Sequence, residues 1–273
     1  MSSKAEAMTP SRTPAPPVRI VFKHHVLVRI THWLNVPLLF GMIVSGLAIY
    51  WAAPVFEHAP NPDTGSTDYL ADLGVWIVVH VPWAKGYPRP MTWIYDHFSV
   101  GPGQLALALR LHWFFAYLFM ANGVLYLAGL LAGGGYRALL PRRSDVRDAL
   151  AMQWYYVGLL PAKLLRRPWP HPAVTTKYNA LQRSAYFAMP LFGAIAVLSG
   201  WAMHKPVQLS WLEGLFVSYN GARVVHFVTM CVLAAFVLPH VVLVIADGWD
   251  TLRSMVTGWS RRGRGKEDGH GGK

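Results

Sequence analysis

Four long apolar segments constrain what this chain can fold into more than any other feature. They cover residues 33–53, 105–131, 184–203 and 222–245. About 20 apolar residues in a helix cross the hydrocarbon core of a bilayer, because each residue adds about 1.5 Å along the axis. Only 14% of the residues are charged, against about 25% in a typical soluble domain. The sequence therefore predicts an all-α membrane protein, a bundle of four transmembrane helices in contact with lipid.

The charge distribution predicts how these helices are oriented. The net charge is +12, which in a soluble chain would point to nucleic acid. In a membrane protein, Lys and Arg instead concentrate in the cytoplasmic loops. With a cytoplasmic N-terminus, 20 of the 25 Lys and Arg residues fall on the cytoplasmic side. We therefore expect a multi-pass protein with both termini cytoplasmic and no nucleic-acid partner.

The parts outside the membrane follow from this topology. Residues 1–29 are predicted to be a flexible, basic cytoplasmic arm, residues 30–258 the four-helix domain, and residues 259–273 a basic cytoplasmic tail. In the loop between the second and third spans, residues 144–167 have an acidic start and an aromatic, basic-flanked continuation, which predicts a helix on the cytoplasmic membrane surface. Residues 70–83 are too short and too polar for a fifth span, so we expect them at the interface or packed in a loop.

Four of the 12 histidines lie inside or at the rim of a predicted span: His32, His112, His226 and His240. Ionisable groups in hydrocarbon are rare and usually functional. Hydrogen-bonded packing explains a single such histidine equally well, but four together favour a common purpose. Because successive helices alternate in direction, His32 and His240 are expected near the cytoplasmic face, and His112 and His226 near the outer face.

The spacing of the last two histidines indicates what such pairs bind. His226 and His240 are 14 residues apart, which is about 21 Å along a helix and about 40° short of four full turns. Zinc needs about four protein ligands, or three and a water, and no Asp, Glu or Cys accompanies either pair. A haem iron already has four equatorial nitrogens and takes two axial ligands. The pattern predicts two bis-histidine haems, and the single cysteine, Cys231, excludes a Cys-x-x-Cys-His thioether attachment.

Small residues accompany the histidines along the spans, and two explanations stay open for them. Close helix packing in membranes selects small residues, and so does the approach of a flat porphyrin. Both explanations apply to Gly41, Ser45, Gly46, Gly123, Gly129, Gly193 and Gly200.

Several motifs resemble those of a known family. They are "RITHWLN" (29–35), "RLHWFFAYLFMANGVLYL" (110–127), "KYNALQRSAY" (177–186) and the His226/His240 spacing. Together, over roughly residues 20–258, they are similar to the bacterial di-haem b-type membrane cytochromes, the cytochrome b subunits of nickel–iron hydrogenases, formate dehydrogenases and thiosulfate reductases. The thiosulfate-reductase-like branch looks most similar.

This resemblance implies a function and a set of site residues. The family's four haem ligands match His32, His112, His226 and His240, which implies two non-covalent haem b groups in a bacterial inner (cytoplasmic) membrane. It also implies a periplasmic oxidoreductase partner and quinone exchange near the cytoplasmic face. Arginines two or three residues from a ligand pair with a haem propionate or reach a lipid phosphate: Arg29, Arg110 and Arg223. Polar residues at the start of the third span contact quinone or face headgroups: Tyr178, Asn179, Gln182 and Arg183.

Three functions stay open from the sequence. The first is an electron-transfer subunit of a membrane oxidoreductase, which should copurify with a soluble partner. The second is a stand-alone quinol oxidoreductase that reduces a small acceptor such as superoxide, and this should work alone or as a homo-oligomer. The third is a non-redox transporter or anchor, which would contain no haem. Whether the chain is itself an enzyme is left open.

Overall fold

We describe a computed structural model covering residues 19–60, 62, 67–80, 97, 99–100, 103–140, 142–170, 179–247 and 249–262. In chain order its elements are β1 (Arg19–Phe22), α1 (Val26–Ala52), α2 (Tyr69–His80), α3 (Leu105–Ala132), a 3₁₀ helix (Gly135–Ala138), α4 (Asp145–Leu164), α5 (Ala180–His204), α6 (Ser210–Leu215), α7 (Tyr219–Asp247), α8 (Trp249–Thr257) and β2 (Trp259–Arg262). Among the described residues, four helices are long and apolar enough to cross a membrane, namely α1, α3, α5 and α7. The predicted four-helix membrane bundle is therefore confirmed.

Two of the spans begin earlier than predicted because capping residues precede them. The imidazole Nδ1 of His25 accepts a hydrogen bond from the Leu27 amide at 3.3 Å, so α1 begins seven residues before the predicted start. Before α5, the Asn179 side chain accepts from the Gln182 amide at 2.7 Å, while Gln182 accepts from the Asn179 amide at 3.2 Å. This reciprocal capping box satisfies two amides that the helix itself leaves unpaired.

The bundle consists of two closely packed helix pairs. α1 packs chiefly on α3, and α5 packs chiefly on α7. Gly41 allows the first pair to approach closely, since a Cβ there would lie 2.5 Å from the Phe115 ring. The buried Asn122 of α3 then ties the pair together by donating to the Thr31 carbonyl at 2.9 Å and to Asn35 Oδ1 at 2.8 Å. Each pair is thus a preformed unit that carries part of the site described below.

The two ends of the described chain pair with each other, which differs from the predicted free arm and tail. β1 and β2 form a two-stranded antiparallel sheet with Phe22 opposite Trp259, and the Lys23 amide donates to the Gly258 carbonyl at 2.8 Å. Gly258 has φ +88°, a conformation that side chains rarely tolerate, and this turn directs β2 back along β1. Residues 1–18 and 263–273 lie outside the described residues.

Two further helices dock on the bundle. The predicted helix in the loop between the second and third spans is confirmed as α4. Its Asp145 forms a buried, bidentate ion pair with Arg183 of α5. Residues 70–83, predicted to be interfacial or in a loop, form α2 up to His80, and α2 is not among the membrane-spanning helices. Asp68, just before α2, accepts a hydrogen bond from the buried Tyr50 hydroxyl at 2.9 Å and so holds this segment on α1.

Candidate haem sites

The four histidines of the spans come together in two pairs. The rings of His32 and His240, here called the 32/240 pair, have centroids 6.0 Å apart. The rings of His112 and His226, the 112/226 pair, also have centroids 6.0 Å apart, and both pairs have an interplanar angle of 65°. α7 contributes one ring to each pair, near its start and near its end, as the depth argument predicts. That these rings ligate haem stays a prediction.

The separation of the rings fits a shared metal ion. Two imidazole nitrogens at about 2 Å from one ion lie about 4 Å apart, and each centroid lies roughly 1 Å farther back, giving about 6 Å. Within the described parts of the chain, no group of three or more His, Cys, Asp or Glu residues is arranged to hold a metal. Each pair therefore fits an ion that brings its other ligands with it, as a haem iron does.

A serine supports each ring of the 112/226 pair. His112 Nδ1 lies 3.0 Å from Ser45 Oγ, and His226 Nδ1 lies 3.0 Å from Ser199 Oγ. Ser45 is on α1, the packing partner of α3, and Ser199 is on α5, the packing partner of α7. Each helix pair therefore supplies both a ligand candidate and the residue that contacts it from behind.

A glycine follows each of these serines and lies against the same ring. A Cβ at Gly46 would lie 3.4 Å from His112 Cε1, and a Cβ at Gly200 would lie 3.4 Å from His226 Cε1. A Cβ at that distance would be in van der Waals contact with the ring, so these glycines mark where the helix backbone lies directly against each imidazole. Gly41 contacts Phe115 and Gly129 contacts Leu27, which is close helix packing, and an approach of the small residues to a porphyrin stays a prediction.

Aromatic rings support the 32/240 pair. Phe236 stacks on His240 with centroids 5.4 Å apart and an angle of 25°. Trp33 meets His32 edge to face at 5.6 Å and 80°. Among the described residues, neither imidazole of this pair has a side-chain hydrogen bond to a neighbour. Within the described residues, aromatic packing therefore orients these two rings.

The three arginines predicted to pair with a haem propionate or reach a lipid phosphate differ in their surroundings. Arg223 donates to the Ala53 and Pro54 carbonyls at 2.6 and 3.0 Å, so it caps the end of α1. Arg29 donates through Nη1 to the Thr257 carbonyl at 2.9 Å, and its buried Nε has no hydrogen-bond partner among the described residues. Arg110 is exposed. Of the three, Arg29 best fits an anionic group beside the 32/240 pair.

The predicted quinone residues are largely engaged within the protein. Asn179 and Gln182 form the capping box of α5, and Arg183 is bound to Asp145. The Arg183 guanidinium holds the pKa of the Asp145 carboxyl below its usual value. Tyr178 lies outside the described residues. These contacts dock α4 and begin α5, and a role toward quinone stays a prediction.

Sequence reasoning missed part of this arrangement. Ser45 was named only as a small residue, and Ser199 was not singled out. The available signal was a repeated pattern, "SGLA" at 45–48 and "SGWA" at 199–202, in the first and third spans. Because the serines are 67 and 27 residues from the rings they contact, only the folded helix pairs reveal the relationship.

Comparisons with known proteins agree with this architecture. Residues 23–258 match the model of the family described as prokaryotic cytochrome b561. A relative from Azospira oryzae, named putative protein-methionine-sulfoxide reductase subunit YedZ1, is 31% identical over 225 residues, covering 81% of this chain and 89% of the relative. No solved structure matches significantly. The resemblance to the thiosulfate-reductase-like branch is not tested by these matches.

Proposed function

The chain belongs to the prokaryotic cytochrome b561 family of membrane electron-transfer proteins, and we propose that it carries electrons between quinone and a soluble oxidoreductase through two b-type haems. The observation that carries this proposal is the placement of two equivalent histidine pairs at opposite ends of α7. One pair serves each side of the membrane, about 21 Å apart along the helix.

The protein's own residues hold, orient and insulate the haems. Haem held by two histidines would supply one-electron transfer, because its iron would have no position left for a substrate. The side chains of His32, His112, His226 and His240 would hold the haems, and the apolar helices exclude water. Gly46 and Gly200 leave room beside the 112/226 rings. Asn122 fixes α1 against α3 next to His32, and so keeps that ring at its level.

Quinone exchange is assigned to the end of the bundle that carries the 32/240 pair. A groove of about 340 Å³ lies there between α1 and α8, lined by Arg29, Ile30, Trp33, Leu34 and Val256. Trp33 fixes one wall by donating to the Met255 carbonyl at 3.1 Å. This groove is open and mostly apolar, with Arg29 as its charged residue, and we assign the quinone head to it. The start of α5, with Asn179, Gln182 and Arg183, is the second candidate surface.

The partner is assigned to the opposite end and to the class of reductases that act on oxidised methionine in proteins. The support is the relative's name, which makes that relative a putative subunit of such a reductase. A quinol releases two electrons and two protons on becoming a quinone. A methionine sulfoxide consumes two electrons and two protons to give the thioether and water. The two half-reactions balance, and this chain has to pass electrons only.

Two ligand variants test the direction of this path. The protein is purified in mild detergent with whatever soluble subunit accompanies it, and anaerobic quinol is added. His226→Ala should still allow quinol to reduce the remaining haem but should abolish electron delivery to the partner. His240→Ala should slow quinol-driven reduction of the remaining haem. Full delivery by the His226→Ala protein would contradict the path. A wild-type protein that works with no partner would favour the stand-alone oxidoreductase.

A further inference from the structure

The two rings of the 112/226 pair have the same support, although their supporting helices are far apart in sequence. On α1, the Ser45 hydroxyl donates to the Gly41 carbonyl at 2.6 Å. On α5, the Ser199 hydroxyl donates to the Ile195 carbonyl at 2.7 Å. Both carbonyls belong to the residue four positions earlier in the helix. Both serines are almost completely buried, with at most 1% of their surface exposed.

Counting protons settles the direction of the hydrogen bonds to the histidines. A serine hydroxyl has one proton and two acceptor sites. In each case that proton is used on the backbone carbonyl, so the oxygen acts as acceptor toward the imidazole. The Nδ1–H of His112 therefore donates to Ser45 Oγ, and the Nδ1–H of His226 donates to Ser199 Oγ. A neutral imidazole protonated at Nδ1 has its free lone pair on Nε2.

We propose that Ser45 and Ser199 are positioning residues that fix the tautomer and ring plane of His112 and His226, and so lower the reduction potential of the haem that these two rings bind. The inference rests on the proposed function, since it presupposes a haem bound by these rings. Partners of this kind behind a metal-ligating histidine orient the ring and raise its basicity. A more basic Nε2 favours ferric over ferrous iron, so the two serines lower the potential of this haem.

The alternative is that each serine hydroxyl only forms a hydrogen bond with a backbone carbonyl of its own helix. Serines in membrane helices commonly bond the carbonyl four residues earlier, with no role toward a neighbour. That explanation covers the bond to Gly41 or Ile195, but not the repeated contact with an imidazole nitrogen at 3.0 Å. It also leaves unexplained why a glycine follows each serine and lies against the same ring. The paired arrangement occurs in both halves of the bundle.

The test replaces each serine and measures the haems rather than the activity. In Ser45→Ala and Ser199→Ala, the ferric-to-ferrous equilibrium of one haem should move toward ferrous iron by threefold to tenfold, tenfold being about 59 mV for one electron. The ferric low-spin signal in electron paramagnetic resonance should change for that haem alone. Retention of that haem against a competing haem-binding protein should fall by about tenfold.

Matched variants separate positioning from structure. Ser254 is also buried, and its one hydrogen bond within the described part of the chain goes to the Thr251 carbonyl at 2.8 Å. Ser254→Ala should therefore leave both haems unchanged. Ser45→Thr keeps the hydroxyl and should restore the wild-type potential, and it serves as well if the alanine variant fails to assemble. Unchanged potentials and spectra in both alanine variants would overturn the inference while leaving the proposed function intact. A wild-type protein without haem would overturn both.

Discussion

The two ends of α7 present the same ligand geometry but hold it by different means. Both histidine pairs have centroids 6.0 Å apart at 65°. At the 112/226 pair, each imidazole is oriented by a hydrogen bond that it donates to a buried serine. At the 32/240 pair, Phe236 and Trp33 orient the rings by contact alone. The same separation and angle of two imidazole rings is therefore held by hydrogen bonds at one pair and by aromatic packing at the other.

This difference suggests a division of labour between the ends. Buried hydrogen bonds rigidify a site, because an unpaired polar group in a low-dielectric interior is costly. Packed aromatic rings allow more adjustment, and the 32/240 pair lies at the end where α8, the β1–β2 sheet and the groove beside Arg29 meet. We expect the fixed site to face the protein partner and the adjustable site to face the exchangeable quinone.

Removing one ligand from each pair should give the largest effect. His226→Ala and His240→Ala should each lower the haem content from two per chain to one, and the lost haem should differ between them. Haem content measured as the pyridine haemochrome, with the potential of the remaining haem, checks this. His204→Ala is the control, because His204 packs on Trp113 at 3.8 Å outside both pairs. Loss of the same haem in both variants would show that the two histidine pairs do not each hold a separate haem.

Breaking the buried ion pair should weaken the 32/240 end selectively. Asp145→Asn removes the carboxylate that binds the buried Arg183 in a bidentate ion pair, which costs about 3–5 kcal/mol. Chemical denaturation followed through both haem spectra should show the 32/240 haem released first. The half-exposed Asp148, paired with the exposed Arg147, provides the control Asp148→Asn. Simultaneous release of both haems would show that the ion pair does not stabilise the 32/240 end selectively.

The same ion pair predicts a pH dependence. Because the folded pKa of Asp145 is lowered, its carboxylate stabilises the fold fully above its unfolded value of about 3.9. That stabilisation is lost as pH falls through the lower folded pKa. From pH 7 down to pH 3, the free energy of unfolding should therefore fall less in Asp145→Asn than in the wild type. In Asp148→Asn it should fall as much as in the wild type. Identical pH profiles would contradict the assignment.

Overpacking α1 against α3 should disturb both ends equally, because α1 carries Ser45 as well as His32. Gly41→Ala would place a Cβ 2.5 Å from the Phe115 ring. Such overpacking lowers the free energy of unfolding by about 1–3 kcal/mol. Gly123→Ala is the control, since no atom lies within 4 Å of a Cβ there. The measurement is denaturant stability together with both haem potentials. A shift confined to one haem would show that α1 does not couple the two sites.

Removing the stacked ring at His240 should give the smallest effect. Phe236→Ala loses a stacking contact worth about 0.5–1.5 kcal/mol, so haem retention at the 32/240 pair should fall roughly two- to tenfold. The 112/226 haem should be unchanged. Phe40→Ala is the control, because Phe40 is 61% exposed. An equal loss of both haems would indicate general destabilisation instead of ring support.

Helix number and histidine pairing follow from the sequence because hydrophobic length and helix direction are local properties. Helix direction alone placed His32 at the level of His240. Contacts between distant segments could not be predicted in this way. The sequence predicts that Arg223 pairs with a propionate or reaches a lipid phosphate, and it could not show that the guanidinium also binds the carbonyls at the end of α1. The pairing of Arg19–Phe22 with Trp259–Arg262 likewise depends on both chain ends reaching the same end of the bundle.

The haem content of the unmutated protein tests the central claim most directly. Purified intact in mild detergent, the chain should give two b-type haems per molecule in the pyridine haemochrome assay, both with low-spin bis-histidine signals when ferric. One haem per chain would contradict the two-level arrangement along α7. No haem would contradict electron transfer through these histidines altogether.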